Sequence, residues 1–204
     1  MKKVLMTILA LVPLTMWAQD NTWERPEVEE VQEVKTSKVD PKYLRGAVPL
    51  VDGKVVFSKT IDAPGKSAKE VFDIVRNYME KLTKEQNQIE SRLVIDDPQK
   101  CEVAGSYEEW LVFKSAAIYL DQTRIHYVLS AKCEQGKAEV TMSRIRYLYD
   151  EYRRPQNYKA EDWITDDAAV NKKNTRLYPN SGKFRRKTID RKDFIFNKLE
   201  TLLK

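Results

Sequence analysis

Apolar residues recur along the chain with two periods, and the changeovers between them mark the elements. From Ser67 onward, Val71, Phe72, Val75, Tyr78, Met79 and Leu82 fall three or four residues apart. That spacing lines one face of an α-helix and predicts that the face is buried. Ser67 with Glu70 three residues later forms a capping box, which satisfies free amides at the helix start. Elsewhere the period is two. KVVFSKTI runs between a turn at Asp52-Gly53 and a breaker at Pro64-Gly65, and RLVID, EVAGSYEEWLVF, RIHYVLSAKC and AEVTMSRIRYLY follow the helix. These segments read as strands. In the fourth, Ile125, Tyr127, Leu129, Ala131 and Cys133 alternate with Arg124, His126, Ser130 and Lys132, so one face is expected to be apolar and the other wet. In the fifth, the apolar phase slips from Val140 and Met142 to Ile145, Tyr147 and Tyr149, which predicts a β-bulge near Ser143 and Arg144. Glu134 to Lys137 supplies the hairpin turn between these two strands.

A short helix is expected after Thr165 (DDAAVNKK). A final helix is expected with Asp190 as N-cap, Ile189 and Phe194 as a hydrophobic staple, and Ile195, Leu199 and Leu202 on one face. The order of strand, helix, four strands and helix defines an α+β fold, an antiparallel sheet with helices on one face.

The beginning of the chain changes the picture. Lys2 and Lys3 precede an almost wholly apolar stretch from Val4 to Trp17, followed by Ala18 and then polar residues. This is the layout of a secretory signal peptide over residues 1–18, cleaved near Ala18. A signal anchor is the competing reading, but the run is short for a membrane span. Once it is removed, no long apolar run remains, so the expectation is an exported protein, periplasmic or secreted, without a transmembrane segment. Residues 19–50, with Pro26, Pro41, Pro49 and the Glu-rich WERPEVEEVQEV, read as an acidic flexible tether, leaving 51–204 as the folded domain. The overall net charge of +5 hides an asymmetry. Residues 20–34 carry a net of −5 and residues 172–192 a net of +8, so the electrostatic question concerns segments rather than the whole.

Candidate chemistry is sparse. The chain holds one histidine, His126, and two cysteines, Cys101 and Cys133. A Cys–His dyad needs both groups in hydrogen-bond reach, yet His126 and Cys133 stand an odd number of residues apart in one strand and face opposite ways. His126 is expected to be exposed or at an edge. There is no G-x-S-x-G, CxxC, HExxH or EF-hand loop, so neither a metal nor a cofactor is implied. The pairs Asp96-Asp97, Glu108-Glu109 and Asp166-Asp167 read as a turn, a solvated strand face and a helix first turn.

The basic run NSGKFRRKTID is not a P-loop, since Leu177 and Phe184 occupy the glycine and hydroxyl positions. If it leads into a helix at Asp190, its cations face the positive end of the helix dipole. An anion held by Lys183, Arg185, Arg186 and Lys187 would relieve that conflict, whereas the competing reading is a charged lead-in packed by its aliphatic stems. Ile145, Tyr147 and Tyr149 share a face suited to core packing, which leaves Tyr152, Arg153 and Arg154 beyond the strand as a candidate surface contact. A hairpin centred near Ala117 would pair Tyr107 with Tyr127 and Cys101 with Cys133, both cysteines inward. In an oxidising compartment a disulfide is then expected.

AVPLVDGKVVFSKTIDAPGKS, SRLVIDD, RIRYLYDEY and AEDWITDDAAVNKKNTRLYPNSGKFRRKTIDRKDFIFNKLE together resemble the exported bacterial domain-of-unknown-function family 4468. The similarity spans most of Tyr43 to Leu203 and is strongest at its two ends. It implies a TBP-like sheet-and-helix fold and brings no activity, substrate or catalytic residue. A TBP-like fold does not imply DNA binding, because sites rather than folds carry function. The expectation is therefore a non-enzymatic binding or interaction module of the bacterial envelope. Its partner would be an envelope glycan, an anionic lipid or another envelope protein, and not nucleic acid. The alternatives are a hydrolase using carboxylates brought together by folding, and a structural accessory subunit.

Overall fold

The computed structural model describes residues 39–116 and 119–204. The expected signal peptide, most of the expected tether and the hairpin tip at Ala117 lie outside the described residues. A small hairpin, β1 (Leu50–Val51) with β2 (Lys54–Val55), turns through Asp52 and Gly53, both at positive φ. Then come β3 (Phe57–Asp62), α1 (Ala68–Leu82), β4 (Arg92–Asp97), β5 (Glu102–Ala116), β6 (Tyr119–Glu134), β7 (Lys137–Tyr149) and β8 (Gln156–Lys159). Two short helices, α2 (Ala160–Trp163) and α3 (Asp166–Ala169), lead to the long α4 (Pro179–Leu203). Six strands form one antiparallel sheet in the order β3-β7-β6-β5-β4, with β8 pairing the half of β7 that β3 leaves free.

Local chemistry explains the elements that matter. In α1, Ser67 Oγ accepts from the Glu70 amide and Glu70 accepts from the Ser67 amide, so the capping box forms as expected. The six apolar residues expected on its buried face are the ones buried there. The register of β6 with β7 shifts between His126 and Val128, and Arg144 takes φ +55°. This is the expected bulge, and it leaves Ile145 and Tyr147 in the core while Arg144 and Arg146 point to solvent. Tyr107 opposes Tyr127 as expected, their rings stacked at 5.3 Å.

Both long helices cover the same face of the sheet. Val71, Phe72, Val75 and Met79 of α1 and Phe184, Ile195 and Leu199 of α4 share one apolar cluster with Tyr107, Leu111, Ile125, Leu129 and Met142. Each fully buried side chain of this kind contributes about 1.5–3 kcal/mol. The opposite face of the sheet carries no helix.

Three expectations need correction. The final helix starts at Pro179 and not at Asp190, so NSGKFRRKTID is helical throughout. Proline at the first helical position needs no amide partner, and Gly182 is there for closeness: a Cβ on it would lie 2.6 Å from Leu177 Cβ. Asp190 is no cap, but accepts from Lys42 Nζ at 2.8 Å and Tyr43 Oη at 2.7 Å, while Ile189 is in the core. The ordered domain also begins before residue 51, because residues 40–48 are docked on α4 through these bonds and those of Arg185. Finally, Glu109 does not belong to a solvated face. It is fully buried and holds Arg191 through two bonds of 2.6 and 2.7 Å, with Glu85 accepting from the same guanidinium at 2.9 Å.

Candidate functional site

The basic run can be followed first. Arg185 is fully buried. Its Nε donates to Tyr43 O at 2.7 Å, Nη1 to Ile164 O at 2.6 Å, and Nη2 to Leu44 O at 2.6 Å and Asp166 Oδ1 at 2.7 Å. Lys183 Nζ donates to Asp121 Oδ2 at 2.7 Å and to Tyr149 Oη at 2.9 Å. Phe184 between them is the hub of an aromatic cluster with Phe113, Tyr147, Tyr149, Tyr158 and Trp163. Arg186 is exposed and Lys187 half-buried. Of the expected anion site at Lys183, Arg185, Arg186 and Lys187, Lys183 and Arg185 are therefore already engaged by the fold and are not held open for a ligand. The helix-dipole conflict that suggested it disappears, because the run lies inside the helix.

That cluster has a second effect. Tyr158 stacks on Trp163 at 4.0 Å with the rings 5° from parallel, which fixes β8 against β7. Strand alternation then sends Asn157 and Lys159 to the helix-free face. Two rows of side chains cross that face. One runs Glu108, His126, Arg146, Lys159, and the other Trp110, Arg124, Leu148, Asn157, each residue directly opposed to the next across the strands. Between them lies a depression of about 250 Å³ lined by Glu108, Arg124, His126, Arg146, Tyr147, Leu148 and Asn157.

The groups in it are not equivalent. Arg124 is committed: it pairs with Glu151 through Nε and Nη2, reaches Glu108 at 3.5 Å, and lies 5.3 Å from the Trp110 ring centroid. His126 Nε2 shares a 3.1 Å hydrogen bond with Ser106 Oγ. Burial, and secondarily the charge of Arg146, hold its pKa below the ordinary 6.5. His126 is thus half-buried in a central strand and not at an edge. Arg146 and Lys159 are exposed, and neither makes a hydrogen bond or ion pair among the described residues. Like charges set directly opposite on neighbouring strands are unfavourable.

A second depression of about 220 Å³ at the other end of the face makes the contrast clear. There Glu102, Lys132 and Glu139 oppose one another in an acid–base–acid row, so the cation is flanked by acids. The row through His126 ends in two cations with no acid beyond them.

The remaining expected residues are simply placed. Tyr152, Arg153 and Arg154 sit exposed on the turn joining β7 to β8, Tyr152 at 82%. Cys101 and Cys133 stand one pair beyond Glu102 and Lys132, with the Cys133 amide donating to Cys101 O at 2.9 Å. Both are free thiols in the structure. Sequence reasoning put Arg124, His126 and Lys132 on the wet face, and the same alternation in β7 reaches Arg146. It gave no sign of Asn157 or Lys159. Among the described residues no group of three His, Cys, Asp or Glu is placed to hold a metal ion, and no helix is long and apolar enough to cross a membrane.

A wide antiparallel sheet with its helices on one face and the other left open is a TBP-like α+β arrangement. The crystal structure of a TBP-like protein from Parabacteroides distasonis matches it with a TM-score of 0.62 at 20% identity, covering 76% of this chain and 96% of that one. The crystal structure of a DUF4468 family protein from Bacteroides ovatus matches with a TM-score of 0.76 at 42% identity, covering 82% of this chain and 96% of that one. The sequence model described as a domain of unknown function (DUF4468) with TBP-like fold matches residues 57–148. No protein of curated function matches the chain. The chain belongs to the DUF4468 family. The family match covers the strand-and-helix centre, residues 57–148, rather than the two ends of the expected resemblance.

Proposed function

We propose that the protein is an exported, non-enzymatic binding module of the bacterial envelope, and that its ligand face is the helix-free face of the sheet. The observation that carries this reading is the depression whose row of opposed residues ends in Arg146 and Lys159, two exposed cations without hydrogen-bond or ion-pair partners among the described residues. Partnered cations stabilise a fold, whereas like charges left facing each other weaken it, and an anionic ligand reverses that sign. Tyr152, Arg153 and Arg154, on the turn that closes the same two strands, extend the cationic surface. The charged and apolar run from Lys2 to Trp17 supports export.

The hydrolase reading has less behind it. Folding does gather carboxylates, but Glu108 and Glu151 meet around Arg124, and Glu85 and Glu109 around Arg191. Each pair is engaged by a guanidinium.

Two measurements test the proposal. The N-terminus of protein recovered from the envelope fraction should begin just after Ala18, and an intact N-terminus in the cytosol would defeat the export claim. Hydrogen exchange with envelope-derived glycans should protect β6, β7 and β8. Protection confined to α1 and α4 would move the ligand face elsewhere.

A further inference from the structure

Resting on the open sheet face as the ligand face, we infer that its first depression takes a single sugar-acid ring, with the carboxylate held by Arg146 and Lys159. The size is the first argument. About 250 Å³ is below the usual range of pockets for drug-sized ligands, roughly 300–1,000 Å³, and suits one ring rather than a chain of them.

Charge is the second. Arg146 offers a planar fork that matches a carboxylate in a bidentate fashion, and Lys159, outside the lining but directly opposed to Arg146, adds a second positive charge beside it. The same row begins with Glu108, next to His126. A dianion such as phosphate is repelled more strongly by that acid than a monoanion is.

The third argument is the polar groups around the cations. Glu108 contacts Arg124 by one oxygen at the long distance of 3.5 Å, so it retains acceptor capacity. Asn157 adds an amide with both donors and an acceptor. These suit hydroxyl groups, and Leu148 and the Tyr147 backbone supply the floor of the depression. An acid at one end, cations with an amide at the other, and His126 between them describe a polyhydroxylated monoanion. The second depression, with its acid–base–acid row, lacks this polarity.

The test uses the full chain, titrated by calorimetry and by amide chemical shifts with three probes: D-glucuronate, D-glucose and inorganic phosphate. Glucuronate should bind, with shifts at His126, Arg146, Leu148 and Asn157, and should do so at least tenfold more tightly than either other probe. Arg146→Gln, at an exposed position, should lower glucuronate affinity at least tenfold without lowering the melting temperature, and Lys159→Gln should lower the affinity less. Lys132→Gln, in the second depression, should leave it unchanged. Glucose bound as tightly as glucuronate at the same amides would overturn the carboxylate assignment while leaving the open face as the ligand face. Tighter binding of phosphate, full affinity in Arg146→Gln, or no binding of glucuronate would overturn the inference as well. The ligand-face reading then stands or falls on its own exchange experiment.

Discussion

Arg185→Gln gives the sharpest test of what the basic run does. In the folded chain this guanidinium satisfies the carbonyls of Tyr43, Leu44 and Ile164 and pairs with Asp166. It thereby fastens the segment before β1, and the turn after α2, to α4. Glutamine is shorter and neutral, so it cannot reach all four acceptors. Removing one partner of a buried pair typically costs about 3–5 kcal/mol, mostly as the penalty on the groups left behind. Asp166 retains some exposure and regains water, which favours the lower end, about 3 kcal/mol. For a domain of this size, each kcal/mol moves the midpoint by roughly 2–4 °C, so a fall of about 6–12 °C is expected. Urea unfolding followed by tryptophan fluorescence should show a lower midpoint with an unchanged slope. Amides at 43–48 should exchange faster than in the wild type. Arg186→Gln, one residue along and exposed, should stay within about 0.5 kcal/mol of wild type. If Arg185→Gln were as stable as wild type, or Arg186→Gln equally damaging, the clamp reading would be wrong.

Other outcomes follow from the same geometry. Arg191→Met should destabilise by about 3–5 kcal/mol, because it strands buried Glu109, and adding Glu109→Leu should recover much of that loss; a double variant no better than the single would refute the pair as the cause. Stability should hold above pH 6.5 and decline below it, because His126 is held below its ordinary 6.5 and the unfolded chain takes the proton first. The groups facing it are Ser106 and Glu108 on β5, Arg124 on its own strand, and Arg146 with the Arg144 carbonyl on β7. His126→Gln should flatten that part of the profile, and an unchanged profile would assign the titration elsewhere. Cys101 and Cys133 lie one position beyond the paired Glu102 and Lys132, joined by the bond from the Cys133 amide to Cys101 O at 2.9 Å, a closeness that allows a disulfide if the Cα atoms stand within about 7 Å. Burial pushes the Cys133 thiol up to about 12, so an oxidised low-molecular-weight disulfide should react first at half-exposed Cys101, and Cys133 should then displace it. Thiol titration should fall to zero with a mass loss of two hydrogens, and two thiols surviving such treatment would defeat this.

The elements that could be read in the sequence were those in which a single period held without interruption. In α1 the six apolar positions at helical spacing are buried, and in β6 every second residue from Thr123 to Cys133 is. The slip at Ser143 and Arg144 could be read because a bulge changes phase and nothing else. What misled was chemistry in place of hydrophobicity. Running the helical period back from Leu203 passes Leu199, Ile195, Arg191, Thr188, Arg185 and Ser181, all buried. Arginines stand where leucines would, so the apolar pattern stops near Ile189 and Asp190 reads as the start. Glu109 was hidden in the same way, its partner Arg191 lying 82 residues further along the chain. No local signal announces such a pair. Strand β8 was missed because QNYK has one aromatic, and what holds it is the stack of Tyr158 on Trp163, a contact made by tertiary structure.

The same substitution of charge for apolar mass explains why the basic run is engaged by structure rather than held open. A run of cations in sequence says nothing about which of them have acids or carbonyls waiting in the fold. Here the dense run is largely consumed by structure: Lys183 meets Asp121, and Arg185 meets three carbonyls and Asp166. Arg146 and Lys159, two cations without a hydrogen bond or ion pair among the described residues, come from different strands and are 13 residues apart in number, brought face to face by the β7–β8 register. That register depends in turn on Phe184, which sits inside the dense basic run and packs against Tyr147, Tyr158 and Trp163. The run therefore contributes to the candidate site at one remove. Its aromatic residue, not its charges, sets the strand that carries Lys159 and Asn157. Replacing Phe184 by alanine should accordingly do two things at once. It should destabilise by about 3–5 kcal/mol, as large-to-small core changes of aromatics do, and it should weaken ligand binding on the open face even though no atom of Phe184 reaches that face. Binding can be measured well below the lowered midpoint, where the variant is folded. Full affinity there, with β8 amides still protected, would show that the strand holds its place without the aromatic cluster.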